Sequence, residues 1–335
     1  MQQNKSLKTF NTFGVESQAQ WFVEAHTADE VWSCLEGFRN QPVMVLGGGS
    51  NLLLTKDIAG IVLKISLKGI SIVEQSEEHA ILEVQAGEIW HEVVEFCLKH
   101  GLGGLENLAL IPGQMGTAPI QNIGAYGVEL KDVFESCVAL NRDTGERQLF
   151  SLEDCKFGYR ESVFKNELKN QYIILSVRLR LSKGNHQLKL DYGSIKEVLQ
   201  QKGITDPNIR QVAQAVVDIR QSKLPDPKDL GNSGSFFKNP LVSRDHAEQL
   251  QFNYPDMPSY PAENDRVKIP AGWLIERVGL KGYRQRDAGV HKDQALVLVK
   301  YGEATGSEIW ALAQHIQQAV FTEFGINLNP EVNII

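Results

Sequence analysis

Residues 157–162 read FGYRES and residues 231–240 read GNSGSFFKNP. The first sets the ring of Tyr159 beside the guanidinium of Arg160, whose planar, permanently charged donors fit a carboxylate. The second holds a hydroxyl, Ser235, in a Gly-Ser loop, where capping a turn is the plain alternative to chemistry. Upstream of both lies Asn107 to Val128, NLALIPGQMGTAPIQNIGAYGV, which has no charged residue yet contains Gly113, Gly116, Gly124, Gly127, Pro112 and Pro119. No helix tolerates that distribution. The segment is expected to form a buried, irregular cradle in which glycine lets main-chain N–H groups approach a phosphate or a ring, while isoleucine, alanine and tyrosine dry the site. A core loop packing one domain onto another would carry the same residues.

A second glycine cluster stands where the apolar run VMVL enters Gly47, Gly48, Gly49, Ser50 and Asn51. Amides and a hydroxyl gathered at a strand end suit a pyrophosphate, although a tight turn without a ligand reads the same. Leu52 and Leu53 occupy the places where a dinucleotide fingerprint needs its later glycine and helix start, so this is not a Rossmann turn.

The elements that must position these groups follow from caps and periodicity. Thr27 and Glu30 form a capping box for a helix burying Val31, Trp32, Leu35 and Phe38. Strands are expected at 61–65 and 81–86, then a helix over 89–100 closed by Gly101. A hairpin turns at 142–145, and the strand 172–181 places Ile173, Leu175, Val177, Leu179 and Leu181 on one face, with Ser176, Arg178 and Arg180 on the other. Asp206 and Pro207 open a helix with Ile209, Val212, Val216 and Ile219 inward, and Pro225 and Pro227 put a domain boundary near residue 222. Beyond it a smaller α/β unit alternates helices (244–251, 271–278 and 307–324, the last with capping box Thr305/Glu308 and stop Gly325) with strands such as 295–300. INLNPEVNII is expected to be a final strand returning to the first part of the molecule.

At 335 residues the chain has room for two or three domains. A net charge of -7, with no basic run longer than two, argues against a nucleic-acid surface. No apolar run reaches membrane-spanning length and no signal-peptide core is visible. Four scattered cysteines suggest reduced thiols in a cytoplasmic protein. The histidines lack the spacing of a ligand set, so no metal is expected.

In order, LGGGSN (46–51), IPGQMGTAPIQNIGAYG (111–127), FGYRES, RQSKLPDP (220–227), GNSGSFFKNP, PAGWLIE (270–276), HKDQALVLV (291–299) and NPEV (330–333) resemble the UDP-N-acetylenolpyruvoylglucosamine reductase family, over nearly the whole chain. The resemblance implies an α+β protein. Residues 1–222 would be an FAD-binding region of the PCMH, or vanillyl-alcohol-oxidase, type with two α/β subdomains; 223–325 would be a smaller α/β substrate-binding domain, and 326–335 a strand returning to the active site. It implies non-covalent FAD held by Gly47, Gly48, Gly49, Ser50 and Asn51 and by Ile111, Pro112, Gly113, Gly116, Thr117, Pro119, Asn122, Gly124, Ala125, Tyr126 and Gly127, with Tyr159 near the flavin. Neither glycine segment contains a His or Cys, which argues against a covalent flavin. NADPH would be the hydride-donating substrate.

The family's reaction implies a hydride donor at one carbon of an enolpyruvyl ether, a proton donor at the next, and a charged group for the carboxylate between. By resemblance Ser235 is the proton donor, in a dry and pre-aligned site, Glu331 is the other catalytic residue, and Arg160 meets the carboxylate. Arg160 and Lys223 would offset Glu331, or Glu331 would carry a proton. Tyr192 matches the mobile tyrosine loop of the type I subgroup, and Lys223, Asn239, Tyr260, Lys268 and Gln294 match positions used for the nucleotide-sugar and its diphosphate. Gln114 and Met115 lie at places expected to vary. The expected role is a monomeric enzyme of peptidoglycan precursor biosynthesis; another flavin oxidase or dehydrogenase of small alcohols or sugars, or a nucleotide-binding module without turnover, are the competing readings.

Overall fold

The computed structural model describes all 335 residues. They form two compact units, one of residues 1–5, 19–48 and 59–222, the other of residues 6–18, 49–58 and 223–335. Two stretches read from sequence as part of the first region, 6–18 and 49–58, thus pack with the C-terminal residues. The reason is steric. A Cβ on Gly49 would lie 1.9 Å from Phe10 O, and one on Gly231 would lie 2.1 Å from Phe13 O. Bare backbone at both places lets Thr12 bridge them, its N–H donating to Gly49 O (3.1 Å) and its carbonyl accepting from Asn232 N–H (3.1 Å). Phe13, 1% exposed, meets Phe236 edge to face at 6.4 Å.

The first unit has two larger sheets. One orders its strands Gln2–Ser6, Gln18–Ala25, Ile58–Ile65, Val43–Leu46, the last pair parallel. The helix Ala28–Gly37 starts at Thr27, whose hydroxyl accepts from Glu30 N–H; the Glu30 carboxylate reaches the amide of His26 rather than that of Thr27. Cys34 joins Val31 and Leu35 in its buried stripe, while Trp32 and Phe38 are half-buried. The other sheet runs Arg147–Ser151, Phe134–Asn141, Tyr172–Lys183, His79–Gln85, Ile70–Gln75, all antiparallel.

Its central strand departs from simple alternation. Val138 pairs with Ser176 and Ala139 with Ile174, so Leu175 is an extra residue in the ladder. That bulge reverses the faces. Ile173 and Leu175 enter the core beneath the helix Ala28–Gly37, whereas Ile174, Val177, Leu179 and Leu181 enter the opposite core with the helices Trp90–Lys99 and Ile209–Lys223. Ser176 is buried as well, 7% exposed, so the polar face expected there exists only from Arg178 onward.

The cradle folds as short 3-10 turns, Glu106–Leu108, Met115–Thr117 and Pro119–Gln121, hooked to the sheet edge. Gly116 N–H donates to Ala86 O (2.9 Å), Met115 N–H to Glu88 O (2.8 Å) and Trp90 N–H to Gly113 O (3.0 Å). The buried Trp90 indole holds Leu108 O at 2.8 Å. The cradle closes in a small hairpin not evident from sequence, Gly124–Ala125 against Val128–Glu129. Tyr126 and Gly127 form its turn with φ of 49° and 78°, the doubly left-handed geometry that suits a two-residue hairpin.

The second unit contains an antiparallel sheet ordered Gly231–Ser235, Val297–Lys300, Ala288–Val290, Arg284–Gln285. A three-stranded sheet runs Leu241–Ser243, Arg266–Lys268, Tyr260–Ala262. The helices are Arg244–Asn253, Ala271–Arg277 and Gly306–Phe324. The last has the reciprocal Thr305/Glu308 box and stops at Gly325, φ 65°. Of the tail, only Asn333–Ile334 is strand, parallel to Leu52–Leu53; the rest is irregular chain anchored by buried Ile326, Leu328 and Val332.

Candidate active site

Arg160 sits at the tip of a tight turn in the first unit, where Gly158 and Glu161 exchange backbone hydrogen bonds of 3.0 and 3.2 Å. Its φ is 57°, strained for a residue with a side chain. The turn is fastened to the cradle three times. Ser162 Oγ donates to Ile120 O (2.6 Å), Asn122 Nδ2 to Gly158 O (3.1 Å), and Arg160 Nη2 to Gly124 O (2.6 Å). The guanidinium carbon also lies 5.4 Å from the Tyr159 ring centroid, a cation–π contact. Asn122 is fully buried, and its Oδ1 accepts from Lys131 N–H (3.0 Å). Its amide is therefore engaged within the protein, and the contribution open to it is positioning the arginine turn. Thr117 likewise donates to Gln114 O (2.8 Å).

Tyr192, 57% exposed, lies on the hairpin turn: a Cβ on Gly127 would sit 3.1 Å from Tyr192 Cβ, and one on Gly193 would sit 3.6 Å from the Tyr126 ring. Burial raises the pKa of the Tyr126 phenol, so it stays a neutral donor at neutral pH.

In the second unit Ser235 ends the strand Gly231–Ser235 opposite Val297, after a bulge centred on Gly234, φ 69°. The next residue, Phe236, donates to Leu296 O and accepts from Glu331 N–H, both at 2.8 Å, and Phe237 bridges Pro330. One rigid junction thus carries both Ser235 and Glu331. Asn51 Nδ2 donates to Glu331 O (3.3 Å), and Asn51 O accepts from Asn333 N–H (3.1 Å), so Asn51 fastens the NPEV segment. Ser235 is exposed rather than dry, because its strand ends there; Glu331 is half-buried.

Tyr260 and Lys268 face each other in the three-stranded sheet, with Leu241 on the other side of Lys268. Asn239 Oδ1 accepts from Ala271 N–H (2.9 Å), capping the helix Ala271–Arg277. Gln294 O accepts from Val297 N–H (2.9 Å) in the turn entering the strand beside Ser235. Lys223 is exposed.

Residues 226–335 match the C-terminal domain of UDP-N-acetylenolpyruvoylglucosamine reductase, and residues 19–148 match an FAD binding domain. The reductase of that name from Flavobacterium johnsoniae is 51% identical over all of this chain and 99% of its own length. The chain belongs to the UDP-N-acetylenolpyruvoylglucosamine reductase family. The Pseudomonas aeruginosa reductase is 48% identical, covering 100% of this chain and 98% of that protein. The crystal structure of the Thermus caldophilus reductase superposes with a TM-score of 0.69 at 23% identity, over 98% of this chain and 96% of that one. A solvent-stable cholesterol oxidase shares the fold more distantly, with a TM-score of 0.50, 13% identity, and coverage of 98% and 86%. The fold is that of an FAD-binding, PCMH-type domain joined to the family's C-terminal domain, and the protein is a flavin-dependent oxidoreductase.

The residues present fit FAD. The N–H groups of Gly48, Gly49 and Ser50 make no hydrogen bond within the protein, and successive unpaired amides are what a diphosphate requires. In the first unit a Cβ on Gly48 would stand 3.0 Å from Gly113 Cα, and one on Gly47 would stand 2.4 Å from Thr117 Cγ2. Those two glycines bring the strand end against the cradle.

Sequence reasoning passed over two residues at this place. Lys64 Nζ donates to Gln114 Oε1 (3.0 Å) and Ile65 O (3.1 Å), while Gln114 Nε2 donates to Gly87 O (3.0 Å). Burial lowers the Lys64 pKa to about 8. The available signal was a lysine inside an otherwise apolar strand, IVLKI. Gln114, expected to be a variable position without consequence, is buried and holds that lysine.

Proposed function

We propose that the chain reduces the enolpyruvyl ether of UDP-N-acetylglucosamine enolpyruvate to UDP-N-acetylmuramate, a peptidoglycan precursor, with Arg160, Ser235 and Glu331 as its catalytic residues. When bound, FAD would supply the hydride chemistry, with NADPH as the hydride source and the enolpyruvyl carbon as its destination. The Ser235 hydroxyl gives its proton to the adjacent carbon. Arg160, fixed by Gly124 O and by its strained turn, stabilises charge spreading onto the carboxylate without reorganising. Glu331 completes the polar network on the same backbone junction as Ser235. The observation that carries this reading is that junction: Glu331 N–H on Phe236 O fixes a carboxyl group and a hydroxyl from segments about a hundred residues apart in sequence.

Lys268 and Tyr260, paired across one sheet, with Lys223, Asn239 and Gln294, hold the nucleotide-sugar diphosphate in this reading, and Tyr192 closes over it. Gly47 to Asn51 and the cradle hold FAD, Tyr159 lying near the flavin. The proposal includes a monomer in the cytoplasm with no nucleic-acid partner. Four free, buried cysteines and the net charge of -7 support it. No helix is long and apolar enough to cross a membrane.

The test is an anaerobic visible spectrum of the holoenzyme. NADPH should bleach the flavin bands, and the enolpyruvyl sugar nucleotide should restore them. Bleaching that recovers only in air would overturn the substrate assignment.

A further inference from the structure

Two consecutive residues at the start of the helix Trp90–Lys99 fasten the stretch of cradle between Leu108 and Gly113. Trp90 takes Leu108 O with its indole (2.8 Å) and Gly113 O with its amide (3.0 Å). His91 Nδ1 lies 3.0 Å from Leu110 N. A backbone amide can only donate, so Nδ1 is the acceptor and the proton of the neutral ring is on Nε2. Nε2 faces Glu95 Oε1 one helical turn on, at 3.6 Å, too far for a hydrogen bond. The His91 side chain is 27% exposed, and the bond to Leu110 is the contact that orients its ring.

Leu110 is the residue this bond holds. Its φ is 59°, a left-handed conformation that a side chain disfavours and that persists only where the surroundings impose it. The next two residues cannot absorb a change there, because Ile111 precedes a proline and is confined to extended backbone, and the Pro112 ring fixes its own φ. Gly113 follows, and a Cβ on Gly48 would stand 3.0 Å from its Cα. A relaxation at Leu110 is therefore passed on to the place where the cradle meets the glycine-rich strand end. We propose that His91 is a positioning residue for FAD: its Nδ1, as an acceptor in the Nε2–H tautomer, holds Leu110 left-handed and so sets the cradle against Gly48. His91 acts through Leu110, and the inference rests on the reading of the cradle as the FAD site.

Asparagine places an acceptor oxygen where histidine has Nδ1, whereas glutamine places one nearer Nε2, so the two variants separate the bond to Leu110 from the bulk of the ring. Full-length holoenzyme is diluted, and the fluorescence of released FAD gives its dissociation constant. His91→Gln and His91→Leu should each hold FAD at least ~fivefold more weakly than His91→Asn, on the order of one hydrogen bond. Packing alone predicts the reverse order, since asparagine fills the least space of the three. A smaller separation, or the reverse order, overturns the proposal. In wild-type enzyme labelled with 15N-histidine, NMR should show His91 as the Nε2–H tautomer, and a proton on Nδ1 would overturn it without any variant having to fold. Wild-type protein that binds no FAD would instead overturn the flavin reading, with the tautomer still deciding whether His91 holds Leu110.

Discussion

Gly124 touches the arginine turn more closely than its place in a glycine-rich segment suggests, and Gly124→Ala isolates that contact. The added Cβ would lie 2.9 Å from Val128 O, 3.0 Å from Arg160 Nη1 and 3.0 Å from Glu129 Cγ. The hairpin fixes Val128 O by its pairing with Gly124 and Ala125, so the flexible guanidinium is the group that yields. A displacement of a few tenths of an ångström breaks the 2.6 Å bond from Nη2 to Gly124 O. Hydrogen bonds to charged groups contribute ~1.5–3 kcal/mol, which corresponds to a loss of ~10- to 150-fold in the step that uses a correctly placed Arg160. The assay is anaerobic stopped flow, with flavin reduction by NADPH and reoxidation by the enolpyruvyl substrate followed separately in Gly124→Ala, Arg160→Ala and the double variant. Reoxidation should slow in each single variant, and the double variant should resemble Arg160→Ala, because both changes remove one interaction. Reoxidation within twofold of wild type in Gly124→Ala, or additive losses in the double variant, would refute the reasoning.

Ser235→Ala should bind FAD and accept reduction by NADPH yet lose reoxidation by substrate; near-normal steady-state turnover would remove Ser235 from the mechanism. Lys64 has an ordinary pKa of 10.5, lowered to about 8 by burial, with Glu24 opposing and Lys68 adding to the shift. The unfolded chain therefore holds more protons between pH 8 and 10.5, and this group makes stability climb as pH rises through that window. Lys64→Met should flatten the climb by ~1 kcal/mol after allowance for solvent screening, measured as urea midpoints at pH 7 and pH 10; parallel curves for the two proteins would contradict it. Gly231→Ala forces a methyl group to within 2.1 Å of Phe13 O and should cost ~3 kcal/mol. Gly37→Ala meets nothing within 4 Å and should be no less stable than wild type in thermal melts.

Features set by a few neighbouring residues were legible in the sequence. The helix Gly306–Phe324 starts and stops at its cap residues because Thr305, Glu308 and Gly325 act within one turn of chain. The bulge at Leu175 was not legible, since it arises from pairing with Val138 and Ala139 on another strand, and strict alternation was the better local guess. The same limit applies to 6–18 and 49–58, whose packing with the C-terminal residues depends on Gly49 and Gly231, far apart in sequence. In the candidate site, residue types singled out Arg160, but only the fold shows that Asn122 and Gly124 hold it.

The discontinuous second unit has a consequence during synthesis. Phe10 to Phe13 leave the ribosome early, but Gly231, against which Phe13 packs, is made more than two hundred residues later. At ~5–20 residues per second the nascent chain carries an apolar N-terminal segment without its partner for roughly 10–40 s. The strand Asn333–Ile334 beside Leu52–Leu53 comes later still, so the packing of the second unit is completed only when that strand arrives. Translation speed and chaperone supply should therefore govern the yield of this unit more than that of the first, whose central sheet is complete by residue 183.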